Sequence, residues 1–378
     1  MQRRSQTKAG IDANDGPPAS KRFKAEHEEH VPARPSANNS LRPEFDMLSF
    51  PSDSAKDVLN PRCEKLWLRD GNVILVAETL AFKVHASVLE RHSVVFGELL
   101  AEEDPARGHT ETHDNCRVLR TSDWGPELAQ LLHIMYDGGT VTFFDRAKPI
   151  PFAELRAITL LAVKYKVTHV VAHAVSRLEA AFPIKFDPTR FTDLDYVDGG
   201  SGKYSVICKE EDCIGAAALA RAIDPARPPS FIASALYYCC QLPTARFFNP
   251  VQYGREAAFL PSADIQVCAS AYQWLLKADR TVRMPLLYMF EQPLCNDNIC
   301  TSGVRHMVKK WLLVGRWAGH EALRTSDDWF VEHAEKHPEK RLCASCEAHV
   351  KASIDGERAK AFQALGKVFG LQGWRPAQ

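Results

Sequence analysis

No run of apolar residues in this 378-residue chain reaches the roughly 20 residues that a bilayer-spanning helix requires. Met1-Gln2-Arg3-Arg4-Ser5-Gln6 at the start lacks the apolar stretch of a secretory signal. The expectation is a soluble intracellular protein, nuclear or cytoplasmic, with no membrane partner. An excess of charge of one sign is missing too: 47 Lys and Arg balance 47 Asp and Glu. No global field draws the chain to nucleic acid or an anionic surface. Zinc-finger arrays, basic helices and homeodomain patterns are also lacking, so no direct nucleic-acid contact is expected. The eleven cysteines form an odd set without a secretory signal, which argues against a disulfide framework and leaves buried thiols or a metal site.

Complete catalytic motifs are the next thing lacking. Gly199-Gly200-Ser201-Gly202-Lys203-Tyr204 has the composition of a phosphate loop, yet that loop needs glycine where Val197 stands and Ser or Thr where Tyr204 stands. His333 and His337 lie one helical turn apart, but a zinc protease needs Glu directly after the first histidine, and Ala334 is there. A solvated helix end before Pro338 is the expected setting. Cys239 and Cys240 sit in an apolar helix with no base nearby in sequence, so they read as inert core thiols. No enzymatic activity is expected.

Residues 1–44 carry Pro, Ser, Asn and charge without apolar periodicity and read as a disordered tail. Within it, Lys21, Arg22 and Lys24 form a compact basic cluster suited to nuclear import or to plain solvation. Residues 45–62, with Phe45, Met47, Leu48, Phe50, Val58 and Leu59, are too apolar for a pure linker. Asp70-Gly71-Asn72 is a turn, and Val73 to Ala77 behind it is a strand buried on both faces. Leu80, Phe82 and Val84 alternate with Ala81, Lys83 and His85, as a half-buried strand does. Two short helical turns follow, then a polar loop from Glu102 to Asn115 and a third strand at Arg117-Val118-Leu119.

Gly125-Pro126 opens a helix with Leu128, Leu131, Leu132 and Met135 on one face, stopped at Gly138-Gly139. Val141 to Phe144 reads as a short extended piece. Beyond Pro151, Leu155, Ile158, Ala162 and Tyr165 trace a helix, and Thr168 is placed to cap another with Val171, Ala174, Leu178 and Ala181 inward. Residues 184–205 are a connection, 206–291 a helical region and 292–378 a cysteine-bearing helical region. Trp274, Trp311 and Trp317 are large core or interface candidates.

Asp70, Phe82, Val84, His85 and Leu89 fall in an Asp…Phe-x-Val-His-x-x-x-Leu pattern, and residues 63–183 resemble a BTB/POZ domain on these positions and on the element order. The resemblance implies an α+β fold, a small sheet with a helical cluster, followed here by a mostly α-helical C-terminal region. It implies a structural role for His85 in packing the helical hairpin. Asp70 is a local turn residue, or lines a groove at a dimer interface as its counterpart does in some BTB repressors. The whole layout is similar to a large group of fungal, chiefly mushroom-forming, BTB proteins that close in an apolar helix followed by Phe-Gly-Leu, here Phe369-Gly370-Leu371. Phe362-Gln363-Ala364-Leu365-Gly366 stands where that group carries a Trp and a Leu-Pro pair, which leaves the continuity of the closing helix open. The implied partners are proteins: a second copy in a twofold homodimer, another docking protein, or a cullin scaffold with a substrate held by the C-terminal half. Nuclear regulation is a further implied role.

Cys343-x-x-Cys346 is the strongest chemical motif, because two thiolates at that spacing wrap one tetrahedral zinc through a tight turn. Cys295 and Cys300 supply a second pair, with His349 as a substitute ligand. One reading is a structural zinc clip that joins two distant segments and contributes folding energy. The other leaves Cys295 and Cys300 incidental, their gap being looser than the usual pair. A redox role for Cys343 and Cys346 lacks the βαβ context it needs. No other cofactor is expected.

Overall fold

The computed structural model describes residues 61–101, 111–138, 142–191, 205–314, 321–324 and 327–377. The Lys21, Arg22 and Lys24 cluster, the apolar 45–59 segment, the Gly199–Tyr204 stretch and Trp317 lie outside these residues, as does the side chain of Trp311.

Five short strands form the first sheet: β1 (Arg62–Trp67), β2 (Val73–Val76), β3 (Ala81–Val84), β4 (Thr112–His113) and β5 (Cys116–Arg120). Their order is β1-β3-β2-β5-β4, with β2 antiparallel to β3 and parallel to β5. The Asp70-Gly71-Asn72 turn is built closely. A Cβ on Gly71 would lie 2.9 Å from the Lys83 carbonyl carbon, and Asn72 Oδ1 accepts the Ala86 amide at 2.8 Å.

β2 is buried on both faces as expected. Val73 and Leu75 join Phe82 and Val84 in the main core, while Ile74 and Val76 meet Ala81, Cys116 and Val118 on the other side. The half-buried reading of β3 is corrected accordingly: Ala81 is buried as well, because Trp67 of β1 folds over that face with the Arg62 guanidinium 4.3 Å above its ring. The polar loop is corrected in part. Thr112 and His113 pair back with Cys116 and Arg117 through Asp114 and Asn115, both at positive φ, as a tight hairpin requires.

The helices of the first half are α1 (Ala86–His92), α2 (Val94–Ala101), α3 (Gly125–Asp137), α4 (Phe152–Lys164) and α5 (Thr168–Ala181). The predicted apolar faces of α3 and α4 are buried. Two local readings fail. The extended piece at 141–144 is a turn over 142–144, and the strand comes later as β6 (Ile150–Pro151), paired with β7 (Val206–Ile207). Thr168 is the first residue of α5 and does not cap it; Val167 holds the cap position without a side-chain bond.

The second half continues through α6 (Asp212–Ile223), α7 (Ile232–Cys239), the hairpin β8 (Val251–Tyr253) and β9 (Glu256–Ala258), then α8 (Ser262–Glu291), α9 (Asn298–Val314), α10 (Asp327–Lys336) and α11 (Ala344–Val368). α7 is buried all round. α11 runs unbroken through Phe362 to Gly366, where the Trp374 ring lies so close that a Cβ would come within 2.4 Å of it. The protein is thus mixed α+β, with a small sheet and a mostly helical C-terminal half.

Apolar residues from Leu66 to Phe369 share one core that crosses the 184–205 connection. α6 lies against α4 at Gly215, where a Cβ would meet the Tyr253 hydroxyl at 2.3 Å and Phe152 at 2.8 Å. A second, smaller core of Val282, Leu286, Met289, Val304, Met307, Val308, Phe330, Leu342, Val350 and Ile354 joins the end of α8 to α9, α10 and the start of α11. This second core carries the candidate site.

Candidate metal centre

α9 begins at Asn298, with Asp297 Oδ1 accepting the Ile299 amide at 2.8 Å, so Cys300 falls in its first turn. α11 begins at Ala344, which puts Cys343 at its cap and Cys346 in its first turn. Cys295 stands between α8 and α9. The four sulfurs converge within 4.8 Å of one another. Cys346 and Cys295 are 3.5 Å apart, and the Cys343 amide donates to Cys300 Sγ at 3.0 Å. Four thiolates around one zinc at about 2.3 Å would sit about 3.8 Å apart, so the cluster has the span of a tetrahedral ion. All four cysteines are free thiols.

The electrostatics fit a cation. Two helix N-termini open on the cluster, and their first-turn amides and dipoles favour thiolate charge there. The Cys346 amide, and then hydrogen bonds from the neighbouring thiols, pull the Cys343 thiol below its usual range. Burial raises Cys300 and Cys346, holding their protons on unless a positive charge compensates the thiolates. Such a set supplies four protein ligands and leaves no open coordination position. Both predicted pairs are therefore brought together, and the looser Cys295–Cys300 gap closes because the chain enters α9 between them. His349 is exposed and outside the group.

One positioning residue gives no signal in sequence. Gly303, one turn along α9 from Cys300, lets the Lys340 carbonyl approach so closely that a Cβ would come within 2.2 Å of its oxygen. This approach brings the segment before Cys343 onto α9.

The other candidates also find places. Asp70 and His85 meet, with Nε2 3.3 Å from Oδ1, and the Tyr136 hydroxyl receives the His85 amide at 2.7 Å and contacts Nδ1 at 3.1 Å. A local backbone amide, and then the His85 ring, hold the Asp70 carboxyl below the usual range. His85 thus ties β3 to α3 and to the Asp70 turn, while Phe82, Val84 and Leu89 are core. Cys239 and Cys240 are fully enclosed, and burial pushes the Cys239 thiol far up. The solvated reading of His333 is corrected: it is 5% exposed, wedged between α9 and the segment around Lys340.

No protein-family model and no curated protein matches this chain.

Proposed function

We propose that this chain is a non-enzymatic interaction protein. Its BTB/POZ-like region provides self-association or partner docking, and its C-terminal helices, clipped by one structural zinc, present a second surface. The observation that carries the reading is the chemistry of the cysteine cluster: four ligands and no open position suit an ion that holds structure rather than one that activates water. The run of strand pair, helical hairpin, strand and three further helices supports the BTB/POZ part, as does the contact between Asp70 and His85. A nuclear role rests on Lys21, Arg22 and Lys24 and on the BTB/POZ resemblance, and a Lys21→Ala, Arg22→Ala fusion that keeps its distribution removes the import part of it.

A cullin-ligase adaptor is the second reading. It needs a helical pair next to the BTB/POZ-like region, and the direct packing of α6 on α4 favours it despite the long connection between them. Affinity purification of the tagged full-length protein with quantitative mass spectrometry tests both. A second copy or another docking protein at near-stoichiometric amount supports the first reading, and near-stoichiometric cullin supports the second. The absence of any stoichiometric protein overturns the interaction role.

A further inference from the structure

The four sulfurs of the cysteine centre are not equally placed. Cys300 and Cys346 are buried, whereas Cys295 and Cys343 are each partly exposed. Other neighbouring thiols, Cys213 with Cys239 and Cys240 with Cys268, are enclosed in the main core, out of reach of solutes. The cysteine centre instead sets an accessible sulfur directly against a buried one: Cys346 Sγ lies 3.5 Å from Cys295 Sγ, although 51 positions separate the two residues along the chain. A disulfide spans about 2.05 Å, so these two sulfurs would have to close by about 1.5 Å.

The backbone decides which sulfur can make that movement. Cys295 stands between the end of α8 at Glu291 and the start of α9 at Asn298, outside any helix, and Leu294 and Asn296 beside it are exposed. This connection can shift without breaking a helical hydrogen bond. Cys343 is the other accessible sulfur of the set, but it and Cys346 are both fixed by the start of α11, and the Cys343 amide is engaged with Cys300 Sγ at 3.0 Å. An accessible thiolate beside a second thiol that can resolve it is the arrangement of an oxidation sensor.

We propose that Cys295 and Cys346 are a peroxide-sensitive pair, and that their oxidation to a disulfide releases the metal and takes over part of its clip. The inference rests on the zinc reading above, because a coordinating thiol is held as the thiolate, the nucleophilic form. The Cys295 thiolate attacks the O–O bond of a peroxide, taking one oxygen as a sulfenic acid and expelling hydroxide. The Cys346 thiolate then attacks the Cys295 sulfur, forming the S–S bond and expelling a second hydroxide. Two protons from solvent turn both into water, so the sulfurs lose two electrons and the peroxide gains them. Cys300 and Cys343 remain as two ligands where a structural zinc needs four, and they do not retain the ion. The disulfide keeps the α8–α9 connection tied to α11, while the first turn of α9 loses its tie to Cys343. Attack by an external thiol at the accessible Cys295 side reverses the step.

The test uses full-length wild-type protein loaded with zinc, freed of excess metal and treated with a small molar excess of hydrogen peroxide. A chromogenic indicator follows zinc release, and alkylation of free thiols before non-reducing digestion and mass spectrometry maps the linked peptides. The expected result is release of the bound zinc in step with a Cys295–Cys346 linked peptide, with Cys300 and Cys343 recovered as alkylated thiols. Dithiothreitol and fresh zinc should then restore the metal content. Protein that retains its zinc under peroxide, or that loses it with a link other than Cys295–Cys346, overturns the proposal and leaves the zinc reading standing. Protein that holds no zinc before peroxide is added overturns both.

Discussion

Arg177 is the place where a single change should unsettle the first half of the fold most. Its side chain is fully buried, and all five guanidinium N–H groups are used on backbone carbonyls. Nε donates to Phe143 at 2.9 Å; Nη1 to Lys148 at 3.1 Å and Ser205 at 2.7 Å; Nη2 to Thr142 at 2.9 Å and Asp145 at 2.7 Å. One planar fork on α5 thus fixes the 142–148 turn and the entry to β7. Lysine keeps the charge but has three donors on one nitrogen, so at least two carbonyls lose their partner. At about 1.5–3 kcal/mol for each charge-assisted bond lost, Arg177→Lys should cost about 3–6 kcal/mol. Arg177→Met removes the charge as well. The Phe143 and Ser205 bonds are buried and their carbonyls stay dry, while water reaches the other three, so the cost is again about 3–6 kcal/mol. Urea unfolding at constant slope measures both. Lysine should therefore fail to rescue. An Arg177→Lys protein within about 1 kcal/mol of wild type would refute it, because charge and not the fork would then be what matters.

Gly303→Ala should push the Lys340 carbonyl away from α9 and spread the cysteine set, lowering zinc affinity at least about tenfold in a chelator competition; unchanged affinity would contradict the role given to that glycine. Lys166 follows α4 at φ 51, in the left-handed region, and is exposed. Relief of about 1–2 kcal/mol of backbone strain, offset by about 0.5–1 kcal/mol of unfolded-state entropy, predicts that Lys166→Gly stabilises by about 0.5 kcal/mol in chemical denaturation. A destabilised variant would contradict this. His173 lies below the ordinary value of 6.5, first through burial and then through the Arg177 charge. On acidification the unfolded chain therefore takes up that proton before the folded one, so its contribution is complete above 6.5 and is lost as pH falls below it. His173→Gln should make stability fall less steeply between about pH 7 and about pH 5 than in wild type, and an equal or steeper fall would contradict it.

Much of the first half is legible because its signals are local. Val73 to Val76 has no polar position, so the strand had to be buried on both sides, and the Leu128, Leu131, Leu132 and Met135 stripe can face only one way on a helix. Contacts between distant segments leave no such trace. Trp67 covering Ala81, and the tight approaches at Gly215 and Gly303, depend on what another part of the chain brings. Thr168 has the side chain of a cap, but the backbone turns one residue earlier, at Val167. Nothing in the sequence marks Arg177 and Arg358 as fully buried, because arginine is mostly a surface residue; Arg358 donates to the carbonyls of Leu323, Pro188 and Arg190. In the cysteine cluster the close Cys343–Cys346 spacing was readable, whereas the ring contacts of His306 with His333 and His337 were not, because His306 lies far along the chain from them.

In the proposed function the cysteine cluster builds structure rather than turning over substrate. Zinc-edge X-ray absorption tests it on full-length protein purified without strong chelators and dialysed until its zinc content is constant. The expected result is one tightly held equivalent with four sulfur neighbours at about 2.3 Å and no oxygen bound to the metal. Less than about a tenth of an equivalent, or a first shell in which water replaces one thiolate as in a catalytic centre, would contradict it.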